Sequence, residues 1–431
     1  MYSLQRIVLV SLLSFLSSSL WAEVAPEPLG ISETLRKPYA SSWFWATDPL
    51  LRRVTLTDFN NDRALGTIDG GQMLTIPLFP KKNNREFYVP ETHYSRGSRG
   101  EHTDIITFYD VETLSPTAEV VIPPKRAQNS MPIGNAAISD DEDFIAVFNM
   151  MPAQSISIVD VKKRRFVEEI ETPGCSLVYG AGKHRFMMLC GDGSLMFVSL
   201  NANGTLKDKK LSAKVFDPQT DPITEKAARL GDVWYFVSFE GFVYAIESTV
   251  EDISTLSMKS VSPWPLFTDK ERKDKWRIGG RQFVAIHEAT QRLYVLMHQG
   301  EVDTHKDGGT DLWVYHLASK QKVALIKLQS PGFSFSGVPT EFGTDWIWPF
   351  NNLYNVLTRL SFAEPHARPD SIVVTQETQP TLLLTGQFTG MVAVYDALTL
   401  EFRHRVTTGN ISNLGLFLPQ WNKTTAEETT P

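Results

Sequence analysis

Seven times along this 431-residue chain, a short run of β-branched, aromatic and aliphatic residues leads into a turn-forming side chain. The copies lie at residues 105–110, 156–160, 195–199, 242–245, 312–316 and 391–396, with a degenerate first copy at 53–56. They recur every roughly 40–80 residues with no long amphipathic helix between them, which is the spacing of a β-propeller built from one four-stranded sheet per copy. Seven copies predict an all-β, seven-bladed β-propeller. Such a fold is mainly a scaffold, so its function is to be sought in its loops or in a partner.

Composition agrees with one large repeat domain. Hydrophobic residues make up 42% and aromatic residues 11% of the chain, enough for an extended core, while 25 prolines and 27 glycines punctuate many short strands. A net charge of −7 without a basic cluster speaks against a nucleic-acid footprint. At the N-terminus, Arg6 precedes an apolar and small-residue run from Ile7 to Trp21, and Ala22 supplies a small residue for cleavage. Residues 1–22 therefore read as an export signal, the run being short for a membrane span. The expected organisation continues with an extended arm at 23–42, the propeller at 43–421 and a disordered tail at 422–431.

Cys175 and Cys190 are the chain's two cysteines. In an exported protein such a pair reads as a structural disulfide, and the turn residues 180–183 between them suit two facing strands. Residues 217–229 are poor in strand signals, with a short helical piece expected around 223–228. Residues 268–273 read as a short helix capped by Thr268 or Asp269. The acidic stretch 139–143 lacks the spaced oxygen ligands and glycine of a calcium loop and reads as a blade turn. His298 and His305, with Asp303 and Asp307, form the best local cluster of ligand-type residues, and a hydrogen-bonded loop is the expected outcome there. No zinc motif, phosphate loop or nucleophile elbow occurs, so neither a metal site nor catalytic residues are expected in this chain.

Two segments are denser in charge and glycine than a blade turn requires. In the first, Arg96 and Arg99 with Glu101 and Asp104 are expected to form a charge-assisted network that fixes a loop. The second runs through residues 297–300 and 304–307. From these segments the chain resembles the heavy subunit of the quinoprotein amine dehydrogenases, the methylamine and aromatic amine dehydrogenase family. The resemblance is carried by Ser95-Arg96-Gly97, Arg99-Gly100-Glu101, Thr103-Asp104 and Tyr109-Asp110, and by the cysteine pair followed by Asp192-Gly193-Ser194-Leu195. It continues through Trp276-Arg277, Gly279-Gly280, Gln282, residues 292–296 and Thr304-His305-Lys306.

The resemblance implies a periplasmic propeller pairing as two heavy and two light chains. The tryptophan tryptophylquinone cofactor would sit on the light chain, primary amines would be oxidised to aldehydes with release of ammonia, and electrons would pass to a small copper protein or a cytochrome. No cofactor is expected in this chain, which lacks the dense cysteine framework of a light subunit. The resemblance also places Gly70, Gly71, Gln72, Met73 and Leu74 at the substrate channel and light-chain interface. Gln72 stands where relatives carry phenylalanine, with Met73 able to fill an apolar gap beside it, and His102 stands where relatives often carry arginine. The competing readings are a stand-alone exported propeller that binds a ligand or protein, and, ranked last, a self-sufficient propeller hydrolase.

Overall fold

All seven signature runs become the third strand of a sheet, counted outwards from the centre of a seven-bladed β-propeller. The computed structural model describes residues 34–35, 39–72, 76–128, 133–329, 368–386 and 389–419, with the backbone alone of Ser334–Phe335 and Val338–Pro339. The export signal, most of the arm, the C-terminal tail, Met73 and Leu74 lie outside the described residues.

The third strand carries the signature for a physical reason. It is flanked by strands on both edges and packed by neighbouring blades on both faces, so an unbroken apolar run is favoured there. Ser155–Asp160 is buried at every position, whereas the outermost strands Leu206–Leu211 and Gln321–Lys327 are largely exposed or alternate. The terminal aspartate of the signature caps the following turn. Asp110 Oδ1 accepts from the backbone N–H of Glu112 and Thr113, and Asp396 Oδ1 from Leu398 and Thr399. Asp58 and Asp160 accept in the same way from Asn60 and Lys163.

The first blade is closed by the other end of the chain. Trp43–Asp48, Arg53–Asp58 and Arg63–Asp69 take Gly415–Phe417 as their innermost strand. The second blade consists of Glu86–Tyr94, His102–Asp110 and Pro116–Ile122, with the Leu78–Tyr88 bridge as the remnant of its inner strand. The third runs from Ala136–Ile138 to Arg165–Glu171, the fourth from Cys175–Gly180 to Leu206–Leu211, and the fifth from Ile223–Leu230 to Trp264–Pro265. In the sixth, Trp276–Ile278 and Val284–His287 share the edge of Arg292–Gln299, and the seventh runs from Pro369–Val374 to Phe402–Thr407. The core is a ring of clusters between blades. Phe44, Ala46, Val373, Leu383 and Val392, for example, seal the seventh blade to the first.

Local expectations fare unevenly. Cys175 and Cys190 face each other across adjacent strands and are bonded. The helix is Asp269–Lys273, with Thr268 as its cap and a reciprocal bond to Glu271. The helical piece expected around 223–228 is instead the inner strand Ile223–Leu230 of the fifth blade. Its register shift between Ile223 and Ala227 breaks the alternation that would have marked it as a strand in the sequence. Among the described residues, no helix is long and apolar enough to cross a membrane.

Candidate functional site

Every innermost strand of the propeller runs in the same sense, from an upper face, where the connections from the preceding blade arrive, to a lower face. Together these strands enclose a channel of about 610 Å³, lined chiefly by small and β-branched side chains such as Ala137, Ala228, Val284, Ile286, Ile372 and Val374. Near the lower mouth the Arg229 guanidinium donates to both carboxylate oxygens of Asp140, at 2.5 and 2.7 Å. This pairing holds the Asp140 carboxyl below the usual carboxylate range despite burial, which acts the other way.

On the upper face the glycine-led turn at Gly70–Gln72 meets the charged 94–102 turn. Gly70–Gln72 connects the outer strand of the first blade to the second blade, and the 94–102 turn of the second blade lies directly beside it. Gln72 donates its backbone N–H to Thr92 O at 2.7 Å and its side-chain amide to Gly97 O. Gly71 has φ +60° with its N–H bonded to Asp69 Oδ1, and a Cβ there would lie 3.0 Å from Thr92 O. Only glycine suits that combination of left-handed backbone and close approach.

The expected network of Arg96, Arg99, Glu101 and Asp104 is not what the structure forms. Arg96, Arg99 and Glu101 are exposed at the turn, without an ion pair among the described residues, while Asp104 is buried and turned inward. Along a strand, successive side chains point to opposite faces, so charges close in sequence are easily parted. Asp104 accepts from Thr92 Oγ1 at 2.6 Å and from the Arg126 backbone N–H at 2.8 Å, and Arg126 Nε donates to Thr92 Oγ1 at 3.0 Å. His102 Nε2 lies 3.8 Å from the Asp104 carboxylate. Burial pushes the Arg126 guanidinium down, with Asp104, Glu91 and Tyr94 opposing it. Beneath the same turn, the Glu91 carboxylate meets His93, Thr107 and Tyr109 within 3.1 Å, and its burial raises it above the ordinary range. Arg126 escaped the sequence reading because its partners lie on other strands, and Glu91 because Thr107 and Tyr109 reach it from the neighbouring strand.

The histidine pair is also at this face, as a hydrogen-bonded loop. His298 Nε2 bonds Thr304 Oγ1 at 2.8 Å, and the His305 ring stacks on Phe239 with centroids 4.1 Å apart. Burial, reinforced by Arg368, Arg277 and His305 and opposed by Asp307, lowers His298 from 6.5 to about 4. The folded chain thus binds fewer protons than the unfolded chain between these values. The contribution of His298 to stability is therefore complete above pH 6.5 and is lost as pH falls toward 4. Urea unfolding at pH 7 and pH 4.5 should show a loss assignable to this residue, on the order of 3 kcal/mol at most. His298→Gln should flatten that part of the profile; an unchanged profile in the variant would remove His298 as its source.

The upper face carries several exposed apolar side chains. Leu50, Leu51, Met150, Met151, Val302 and Ile411 are exposed there, all in turns or connections that open on this side. Asp48 holds two of these turns together, accepting from Leu50 N–H through Oδ1 and from Ile411 N–H through Oδ2. Large apolar side chains grouped on one face mark an interaction surface.

Residues 46–332 match the profile of the methylamine dehydrogenase heavy chain family. The methylamine dehydrogenase heavy chain of Methylophilus methylotrophus is 28% identical over 280 residues, which cover 63% of this chain and 65% of that one. The heavy chain of Methylobacillus flagellatus is 29% identical over 294 residues, covering 66% of this chain and 70% of the relative. A protein of unknown function from Desulfotomaculum acetoxidans shares the fold alone, with a TM-score of 0.52 at 11% identity over 88% of this chain and 100% of that one. With the profile spanning more than half of its residues, this chain belongs to the methylamine dehydrogenase heavy chain family.

Proposed function

We propose that this chain is the heavy subunit of a periplasmic amine dehydrogenase that oxidises primary amines to aldehydes and ammonia. The observation that carries the reading is the apolar upper face, on which the Gly70–Gln72 turn and the 94–102 turn are held together by the two Gln72 bonds. A light chain docks on that face and brings tryptophan tryptophylquinone, which supplies the electrophile and the electron sink for amine oxidation. The heavy chain's residues shape the approach to it. Gln72, half-buried between Thr92 and Gly97, borders the path, and the buried Asp104–Thr92–Arg126 group keeps that turn in place. Electrons leave the complex to a small copper protein or a cytochrome. Among the described tryptophans, Trp43, Trp45, Trp264 and Trp313 are buried in the core, and Trp276 packs 4.9 Å from Trp313 in the sixth blade, with the Lys322 ammonium over the Trp313 ring. The export-like N-terminus and the Cys175–Cys190 bond support an oxidising compartment outside the cytoplasm.

The test is reconstitution. The purified chain alone should reduce no dye with amines, and adding a matured light chain should yield a complex on size-exclusion chromatography together with amine-dependent dye reduction. Failure of any complex to form would sink the reading. In the same assay, Gln72→Phe should change the relative turnover of bulky and small amines by about 1–3 kcal/mol of discrimination, the worth of one or two apolar contacts. Identical selectivity at matched light-chain loading would reduce the Gly70–Gln72 turn to a plain connection between blades.

A further inference from the structure

The lower face holds a grouping that amine oxidation does not use. Asp141 and Asp143 lie in the turn after the inner strand of the third blade, and His184 lies in the equivalent turn of the fourth. One ligand atom from each falls within 4.8 Å of the others. His184 Nε2 is 2.7 Å from Asp141 Oδ2 and 3.2 Å from Asp143 Oδ2. We propose that Asp141, Asp143 and His184 form a binding site for a divalent transition cation of the zinc class, joining the third and fourth blades.

Four acidic residues crowd this turn, and two of them are already committed elsewhere. Asp140 takes the Arg229 guanidinium, and Glu142 accepts the backbone N–H groups of Lys82 and Asn83 at 2.7 and 3.2 Å. Asp141 and Asp143 are left converging on a single imidazole nitrogen, which bonds Asp143 Oδ2 and leaves the buried Asp141 Oδ2 without a hydrogen-bond partner. A divalent cation would neutralise both carboxylates and use the Nε2 lone pair. One nitrogen and two carboxylate donors match the zinc class better than calcium, which takes six to eight oxygens.

The geometry is close to what such an ion needs. Donors of a tetrahedral zinc with bonds of about 2.1 Å stand about 3.4 Å apart, so the three groups have only to open slightly. The ring of His184 is held edge-on to Phe144, with centroids 5.0 Å apart, and all three residues are only partly exposed. The Lys162 ammonium pairs with the other oxygen of that carboxylate, Asp143 Oδ1, at 2.6 Å. Its side chain is 77% exposed and can swing into solvent when a divalent ion competes. Solvent supplies the fourth ligand.

The experiment titrates the full chain, stripped with chelator, with zinc chloride by calorimetry and with cobalt(II) by visible absorption. The native chain should bind one ion and give the intense cobalt spectrum of a four-coordinate site. Asp143→Asn and His184→Asn should each weaken binding at least about tenfold. Asparagine is chosen at 184 because His184 has φ +51°, a left-handed conformation that asparagine tolerates. Lys162→Ala should tighten binding by removing the competing ammonium. Circular dichroism of the metal-free variants separates loss of the site from loss of the fold. No ion bound by the native chain, an octahedral cobalt spectrum, or equal zinc affinity in the native and substituted chains would each overturn the proposal. The native-chain readings do so whether or not a variant folds.

Discussion

Met151→Glu and Leu50→Glu should each weaken capture of a light chain by about 30-fold or more, the effect of losing an interface anchor worth about 2 kcal/mol. Met151 is 67% exposed and Leu50 57% exposed, and both project from turns on the upper face. A carboxylate in either position would have to be desolvated without a partner when an apolar surface closes over it. Val323→Glu provides the control. Val323 is also about half exposed, but it lies on the outermost strand of the sixth blade, at the rim of the ring. That variant should bind a light chain as the native protein does. Surface-immobilised light chain and the three variants, each with an unchanged melting temperature, make the measurement. Equal losses for all three, or no loss for Met151→Glu and Leu50→Glu, would move the docking surface off the upper face.

Asp104→Ala should destabilise the folded chain by about 3–5 kcal/mol, the usual consequence of removing one member of a buried charged group. Asp104 is fully buried and holds Thr92 and the backbone of Arg126, whose own guanidinium is bonded to Thr92. Alanine would leave the Arg126 N–H and the Thr92 hydroxyl short of an acceptor and remove the largest of the charges that oppose the burial penalty on Arg126. Asp104→Asn keeps an acceptor of the same shape and should cost less. The effect should reach the partner surface, because Thr92 O is the acceptor for Gln72 N–H. Urea midpoints at constant slope measure the stability, and light-chain affinity of the Asn variant measures the reach. A change below about 1 kcal/mol for the Ala variant would mean that solvent replaces the carboxylate, as it does for surface pairs.

The repeat was legible because the strand that carries it is buried on both faces. Runs such as Leu312–Tyr315 are apolar and buried throughout, and where the signature ends in aspartate that side chain serves the next turn, so chemistry repeats wherever the blade repeats. Inner strands lack that constraint. They line a channel with small side chains, and the one at Ile223–Leu230, with Glu225, Lys226 and Arg229 and a register shift, read as helix. The disulfide was legible because both cysteines belong to one hairpin, where strand register alone brings them opposite each other.

Charge partners were not legible, since ring closure and blade packing choose them. Arg96, Arg99, Glu101 and Asp104 lie within nine positions of one another, yet only Asp104 turns into the interior, toward an arginine 22 residues further along. Asp141 and Asp143 meet a histidine more than forty residues away because turns at equivalent points of adjacent blades become neighbours. By itself, then, the sequence determined the blade count, the third strands, the hairpin disulfide and the capped helix at 269–273, all matters of local pattern and short-range register. Only the tertiary structure decided which charges are buried, which turns share a face and which side chains meet across blades, because closing the ring places residues together that no local periodicity relates.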